Sequence, residues 1–431
     1  MKKQPWMLPA AVVTAVVVVL AGVAGVVWWR SEHQAPKTQP APAEQVAVAV
    51  PHAPKKLTIG VIVTLSSKPG QGSEWKYAAE GAQVAVKRLS MGGVDVRLTT
   101  VDDKGTTSGA RQAVQRLAKD NVSGVVVASE GSHLAGAVRA ARRAGLPLLL
   151  PYESDPALVG DHSWATGPTA ETIGATLDEA IKAAALSGPL VINAGGGVPE
   201  GVQAADELSY SSGDDTDKLI RTVRKLSAKS GDDCVIVSGP AAVQATVVQA
   251  LQGGDISLPV YLTPDATSPA FGSALVADGG TLSATLNSVG PDWDDPAALR
   301  SDDSGRAMAS FLAGLRLETD DDQQMSLMGD QPFAEVADQA DVASHDAVIA
   351  LAQAAGAARS GRAADVATAL SGLTLGHDDG LAGPTLDFTS DTVLDPQAVV
   401  ALRSSDQDLG LRPQGAQPQP RLIWFAAPTT K

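Results

Sequence analysis

From Leu57 onward the chain alternates short apolar runs with amphipathic stretches, and this rhythm restricts the fold more than any other property of the sequence. "LTIGVIVTL" reads as a strand, and the following "EWKYAAEGAQVAVKRL" places Ala82, Ala85, Val86 and Leu89 on one helical face. Strand "VDVRLTTV" comes next, then helix "TSGARQAVQRLAKD" with Ala110, Val114 and Leu117 aligned, strand "VSGVVVAS", helix "HLAGAVRAARRAG" and strand "LPLLLP". Strands alternating with helices imply a parallel sheet covered on both faces, and nearly continuous apolar strands fit one.

After "HSWATGPTAETIGATLDEAIKAAALSG" the rhythm restarts with "PLVINAG", "DDTDKLIRTVRKLSAK", "DCVIVSG", "AAVQATVVQALQG" and "LPVYLTP". Two series of similar build predict two α/β lobes rather than one sheet. Residues 291–340 are richer in Asp and Gln and less periodic, with "SDDSGRAMASFLAGL" as a helix. A helix "ASHDAVIALAQAAGAARSG" follows, then "ADVATALSGL" and short strands around "TLDF", "VVALRS" and "RLIWFA". "GLRPQGAQPQP", residues 410–420, reads as a loop between strands.

The 431 residues, 44% of them apolar, suffice for a large core that divides into lobes. A formal net charge of −15 argues against a nucleic-acid partner, because a phosphate backbone rewards a concentrated positive face. Cys234 is the single cysteine, so no intramolecular disulfide forms; within "CVIVSG" it reads as a small buried hydrophobe.

The N-terminus bears on location. "WMLPAAVVTAVVVVLAGVAGVVWW", Trp6 to Trp29, carries no charge and is long enough to cross a bilayer as a helix. Lys2 and Lys3 place its start in the cytoplasm, and Trp28 and Trp29 suit the opposite interface, so the main domain is expected on the extracytoplasmic side. A cleaved signal is the competing reading, but a cut near Ala24 would leave "GVVWW" on the mature end. Residues 1–30 are therefore taken as cytoplasmic start and anchor, and residues 31–56, rich in Pro and Ala, as a semi-extended tether.

Signs of catalysis are few. No P-loop, Gly-x-Ser-x-Gly elbow, His-Glu-x-x-His or paired Cys-x-x-Cys occurs, and the six histidines lack metal-ligand spacing. "NAGGGVPEG", residues 193–201, follows a strand and precedes a possible helix, the place of a phosphate loop, but reads better as a tight turn. Ser132 and His133 are adjacent, yet neighbours in sequence do not face each other on a helix start. The expectation is a non-enzyme with no catalytic residues, metal or cofactor.

The order "LTIGVIVTLSS", "EGAQVAVKRL", "VRLTTVDDKGTTSGARQAVQRLAKDNVSGVVVASEGS" and "AGLPLLLPYESDPAL" resembles the type I periplasmic solute-binding proteins of the branched-chain amino acid (leucine-binding) ABC transport class. That family shows a first strand with a Ser-Gly loop, an Asp-Asp-x-Gly-Asp-Pro stretch, a strand with a Ser-Ser turn, and a Gly-Ile-Pro-x-Ile-x-Pro-x-Ala-Thr run. The resemblance continues through "WATGPTAETIGATL", "VYLTPDATSPAF" and "DGLAGPTLDF". It implies a two-lobed fold of two doubly wound parallel sheets over about 57–431, with a ligand cleft between lobes of about 57–164 plus 290–390 and 165–289 plus 391–431.

It also implies site residues. Ser132 matches the family's turn serine, and Ser154 matches the threonine of the Ala-Thr run, with hydroxyl and N–H toward the solute. Asp265 stands where the family holds a ligand ammonium, and Trp75 lies near the covering aromatic of the first loop. Each has a plainer alternative: a turn or cap for Ser132, Ser154 and Asp265, and a core edge for Trp75. The small residues usual beside the ligand carboxylate are here Glu130, Tyr152, Glu153 and Asp155. Acids pointing inward would repel a carboxylate, leaving a cationic or neutral compound as well as an amino acid or amide open; solvated rim acids are the alternative. The implied function is capture of a small polar solute for an ABC permease. The other possibility is a sensor or scaffold domain with a divergent pocket that regulates another membrane protein.

Overall fold

The structure, a computed structural model, describes residues 45–390, 392–416 and 419–427. The expected span of residues 6–29 lies outside them, and among the described residues no helix is long and apolar enough to cross a membrane.

The first lobe begins with β1 (Lys56–Val63), α1 (Gly81–Met91), β2 (Asp95–Asp102), α2 (Thr107–Lys119), β3 (Gly124–Ala128), α3 (Ala135–Ala144), β4 (Leu148–Leu150) and β5 (Ser163–Ala165). Its sheet runs β2-β1-β3-β4-β5 with every pair parallel. Alternation along β3 shows why both faces are apolar. Val125 and Val127 pack with Ala110, Val114 and Leu117 of α2. Val126 and Ala128 pack on the other face with Ala82, Ala85 and Leu89 of α1.

The chain then crosses to the second lobe. There lie α4 (Ala170–Ala183), β6 (Pro189–Asn193), β7 (Asp206–Ser209), α5 (Thr216–Ser230), β8 (Cys234–Ser238), α6 (Ala241–Gly253), β9 (Val260–Leu262), α7 (Pro269–Ala277) and β10 (Asn287–Pro291). It returns to the first lobe for α8 (Asp303–Thr319), α9 (Val342–Ala358), α10 (Ala363–Leu370) and the β11 (Thr374–Leu375) and β12 (Leu386–Asp387) hairpin. A third crossing adds β13 (Val399–Ser405) and β14 (Ile423–Ala426) to the second lobe. The second sheet runs β14-β13-β10-β9-β8-β6-β7, parallel from β7 to β10 and antiparallel through β13 and β14.

Helix α9 is apolar around its circumference, as its alanines suggest, and is buried between β1, β3, α1 and α10. Its buried polar groups form a network with α1. Arg88 donates to Val46 O and Gly380 O, and its Nη1 lies 3.0 Å from His345 Nε2; His345 Nδ1 lies 2.7 Å from Asp346, whose oxygens accept from Ala382 and Gly383 N–H. Burial, followed by the Asp346 bond that opposes it, leaves His345 below its ordinary range, consistent with a neutral ring whose Nδ1–H donates a hydrogen bond to Asp346 and whose Nε2 accepts from Arg88.

Two local readings change and a third, the 410–420 loop between strands, holds with an added role. Val48 and Val50 are buried against the first lobe, with Val48 N–H donating to Arg88 O, so the expected tether ends before residue 56. After the glycine turn the chain enters β7 rather than a helix: Asn193 Oδ1 accepts from Gly195 and Gly197 N–H, and the next helix starts at Thr216. The loop between β13 and β14 is a strap onto the first lobe. Arg412 donates to Asp338 O and Ala340 O, and Ala416 N–H to Glu335.

Candidate functional site

The carboxyl ends of the strands in both sheets face a common cavity of about 730 Å³, within the usual size of ligand pockets. The first lobe contributes Gly70, Trp75, Glu130, Gly131 and the Pro151–Asp155 segment after β4. The second contributes Gly195, Gly196, the turn after β8, Thr263–Pro269 after β9, and Trp424. Asp338–Val342 and the strap residues Arg412 and Arg421 complete the wall.

Trp75 is buried and stacks on Tyr152, with ring centroids 4.2 Å apart and planes 12° from parallel. Its indole N–H donates to Glu130 Oε2 at 2.8 Å, which fixes both groups at the cavity edge. The Asp265 carboxyl of the second lobe lines the same part of the cavity and acts on Glu130. Burial raises Glu130 well above the usual carboxylate range, and Asp265 adds to the rise. Burial likewise pushes Asp265 up to about 6, and the charge of Glu74 adds to it. Two neighbouring buried carboxyls cannot both ionise cheaply, which favours a proton shared by the pair.

Glu153 has a different task. Oε2 accepts from Gly131 N–H at 2.9 Å, and Oε1 accepts from Ser154 and Asp155 N–H, each at 3.0 Å. Three charge-assisted bonds hold this carboxylate against the start of two loops. The Gly131 donor depends on glycine: its φ is +107°, and a Cβ there would lie 2.7 Å from Gly70 O. Tyr152 O–H donates to Asp341 at 2.7 Å and lies 2.6 Å from Ser344 Oγ; burial pushes Asp341 up to about 7.

The two guanidiniums are already matched. Arg412 Nε donates to Asp295 at 2.7 Å, and Arg421 donates to Asp295 at 3.0 Å and Asp294 at 2.5 Å. Burial alone would raise Asp295, but the two arginines beside it hold it down at about 2.

Of the residues singled out in the sequence, Trp75, Ser154, Asp265 and Glu153 line the cavity together. Ser154 does so with its N–H turned to Glu153, not toward the solute as expected. Ser132 is exposed, starts the short turn Ser132–Leu134 and lies outside the lining, while its neighbours Glu130 and Gly131 are inside it. Sequence reasoning missed Asp341, Ser268 and the Arg412/Arg421 strap. Only the proline-rich composition of 410–420 set the strap apart, and it carries no period that would place it over a cleft.

His133 belongs to a buried network rather than a catalytic triad. Its Nε2 lies 2.9 Å from Asp103 and 3.4 Å from Ser129 Oγ, while Thr64 Oγ1 bonds Asp103 at 2.6 Å and Ser129 at 2.7 Å. A triad needs one ring nitrogen for the serine and the other for the acid. Here one nitrogen faces both, and the group fastens the ends of β1, β2 and β3. Among the described residues no group of acidic, histidine or cysteine side chains has the arrangement of a metal site.

Residues 56–187 match the family model described as periplasmic binding protein. The search of curated proteins finds no match. Among solved structures, an ABC transporter substrate-binding protein from Desulfitobacterium hafniense in complex with Leu superposes with a TM-score of 0.58 at 19% identity, covering 81% of this chain and 98% of that one. The leucine-binding protein LivK from Thermotoga maritima gives 0.57 at 16% identity, covering 81% and 95%. The branched-chain amino acid transporter substrate-binding protein LivJ from Streptococcus pneumoniae, in complex with isoleucine, gives 0.62 at 16% identity, covering 86% and 99%. The resemblance read from the sequence is thus borne out: residues 56–187 are similar in sequence to the periplasmic binding proteins, and the chain is similar in fold to substrate-binding proteins of the leucine and branched-chain amino acid ABC transport class.

Proposed function

We propose that this chain is an extracytoplasmic solute-binding protein, held at the cell membrane by its N-terminal segment, which captures a small polar solute between its lobes and presents it to an ABC permease. The observation that carries this reading is the cavity of about 730 Å³, walled by strand ends of both sheets and edged by the Trp75–Tyr152 stack. Pockets where two lobes meet, apolar with a few convergent polar groups, are the usual seats of small ligands. The uncharged run Trp6–Trp29 supports the membrane location.

The test is calorimetric titration of the full chain, solubilised in detergent, with amino acids, amides, sugars and amines. The reading expects saturable one-to-one binding of at least one solute, weakened about tenfold or more in Trp75→Ala through loss of stacking area. Absence of binding throughout would overturn it and leave a sensor or scaffold domain in its place. Deletion of residues 1–30 is expected to release the protein from membranes; retention would refute the anchor.

A further inference from the structure

The cavity is mismatched to an amino acid in a consistent way. Eight acidic side chains line it against two arginines, and both arginines are held by Asp294 and Asp295. Seven lining residues are prolines, which have no N–H to offer. Of the second-lobe helices that start at the cavity, α7 loses one N–H to Pro269 in its first turn, while α4 and α6 keep theirs.

One niche does present converging backbone donors, formed by the N–H groups of Gly131, Ser154 and Asp155. Glu153 fills it with its own carboxylate. Acceptors, by contrast, are left over. Ser268, 4% exposed, lines the cavity with an Oγ that has no hydrogen-bond partner. Glu74, 7% exposed and outside the lining, has one carboxylate oxygen unpartnered, and its charge acts on both Glu130 and Asp265.

Resting on the solute-binding reading above, we infer that the solute is an organic ammonium compound without a carboxylate, and that Glu153 is an internal substitute for the ligand carboxylate. A primary or quaternary ammonium supplies what the cavity lacks: positive charge for the Glu130–Asp265 pair and a face to set against the Trp75–Tyr152 stack. The shared proton between Glu130 and Asp265 then leaves when the cation enters. Glu74 and Glu153, which face that pair from the first-loop turn and the segment after β4, add to the attraction.

The experiment compares L-leucinamide with L-leucine, which differ by the carboxylate, alongside choline, putrescine and potassium chloride, in calorimetric titration of the full chain. The inference expects leucinamide, choline or putrescine to bind at least about tenfold tighter than leucine, with proton release seen as a heat that depends on the buffer. Glu153→Ala is expected to open the niche and gain binding of leucine, whereas Glu153→Gln, which keeps the side chain in place, is not. Should Glu153→Ala fail to fold, the wild-type comparison still decides. Leucine binding wild type as tightly as leucinamide would overturn the inference and leave the solute-binding reading intact, as would binding of a neutral sugar or amide with no organic ammonium bound. Potassium producing the same heat as the amines would overturn it too. No binding by any solute tested would remove both.

Discussion

Asp265 and Glu130 come from different lobes and are 135 positions apart in sequence, yet both line the cavity and their carboxyls act on each other. The pair makes solute affinity depend on pH. Asp265 titrates at about 6 in the free protein, so at pH 8 the pair is more ionised and at pH 5 it is protonated. A cation therefore competes with protons, and its affinity is expected to fall as pH drops from 8 to 5, measured by titration at each pH; an affinity that rises on acidification would contradict this. Asp103, His133, Ser129 and Thr64 show the limit of reading residues alone. A serine and a histidine next to each other in "GSHL" suggest chemistry, whereas the fold pairs His133 with an acid thirty residues earlier. Trp75, Ser154, Asp265 and Glu153 were legible because their motifs fix them at strand ends. The task of Glu153 was not, since it depends on a Gly131 N–H supplied by another loop.

At the scale of elements, the strands and helices follow from apolar periodicity wherever an element is buried on both faces. β7 escaped because "DELS" is an edge strand with alternating partial exposure and no apolar run. β5 and the β11–β12 pair escaped because two or three residues are too few to show a period. Packing of α1 against α9 relies on Arg88, which is 3% exposed and lowered to about 10 by burial. Arg88→Met would leave Val46 O, Gly380 O and His345 without their donor and Asp346 without its countercharge. The expected cost is about 3–5 kcal/mol, read from urea unfolding. A loss below about 1 kcal/mol would show that the network contributes little. The strap offers a second case. Asp295→Asn leaves Arg412 and Arg421 partly unmatched over the cleft, and is expected to lower thermal stability and loosen residues 406–416 in hydrogen exchange.

Across the whole molecule, the buried carboxyls give the ligand-free protein an unusual stability profile. Glu80 and Asp341 are each pushed up to about 7 by burial, so between about pH 4 and 7 the folded state carries more protons than the unfolded chain. Stability is then expected to rise as pH falls from 8 to 5.5. Asp295, at about 2, works in the opposite sense: its stabilising ion pairs are present above about pH 4 and lost as pH falls toward 2. A melting-temperature maximum near pH 5, roughly 5 °C or more above the value at pH 8, is the expected outcome; a steady increase from pH 5 to 8 would contradict it. Of these groups Asp341 also lines the cavity, so it links the stability profile to the charge a solute meets.

The most direct measurement follows the intrinsic fluorescence of the full chain during titration with leucinamide, choline and putrescine, because Trp75, Trp293 and Trp424 all line the cavity. The account predicts a saturable change for at least one of them, with affinity about tenfold or more weaker in Asp265→Asn, which removes the second lobe's charge from the cleft. An unchanged signal for all three amines, or equal affinity in wild type and Asp265→Asn, would contradict the claim that the two lobes close on a cation.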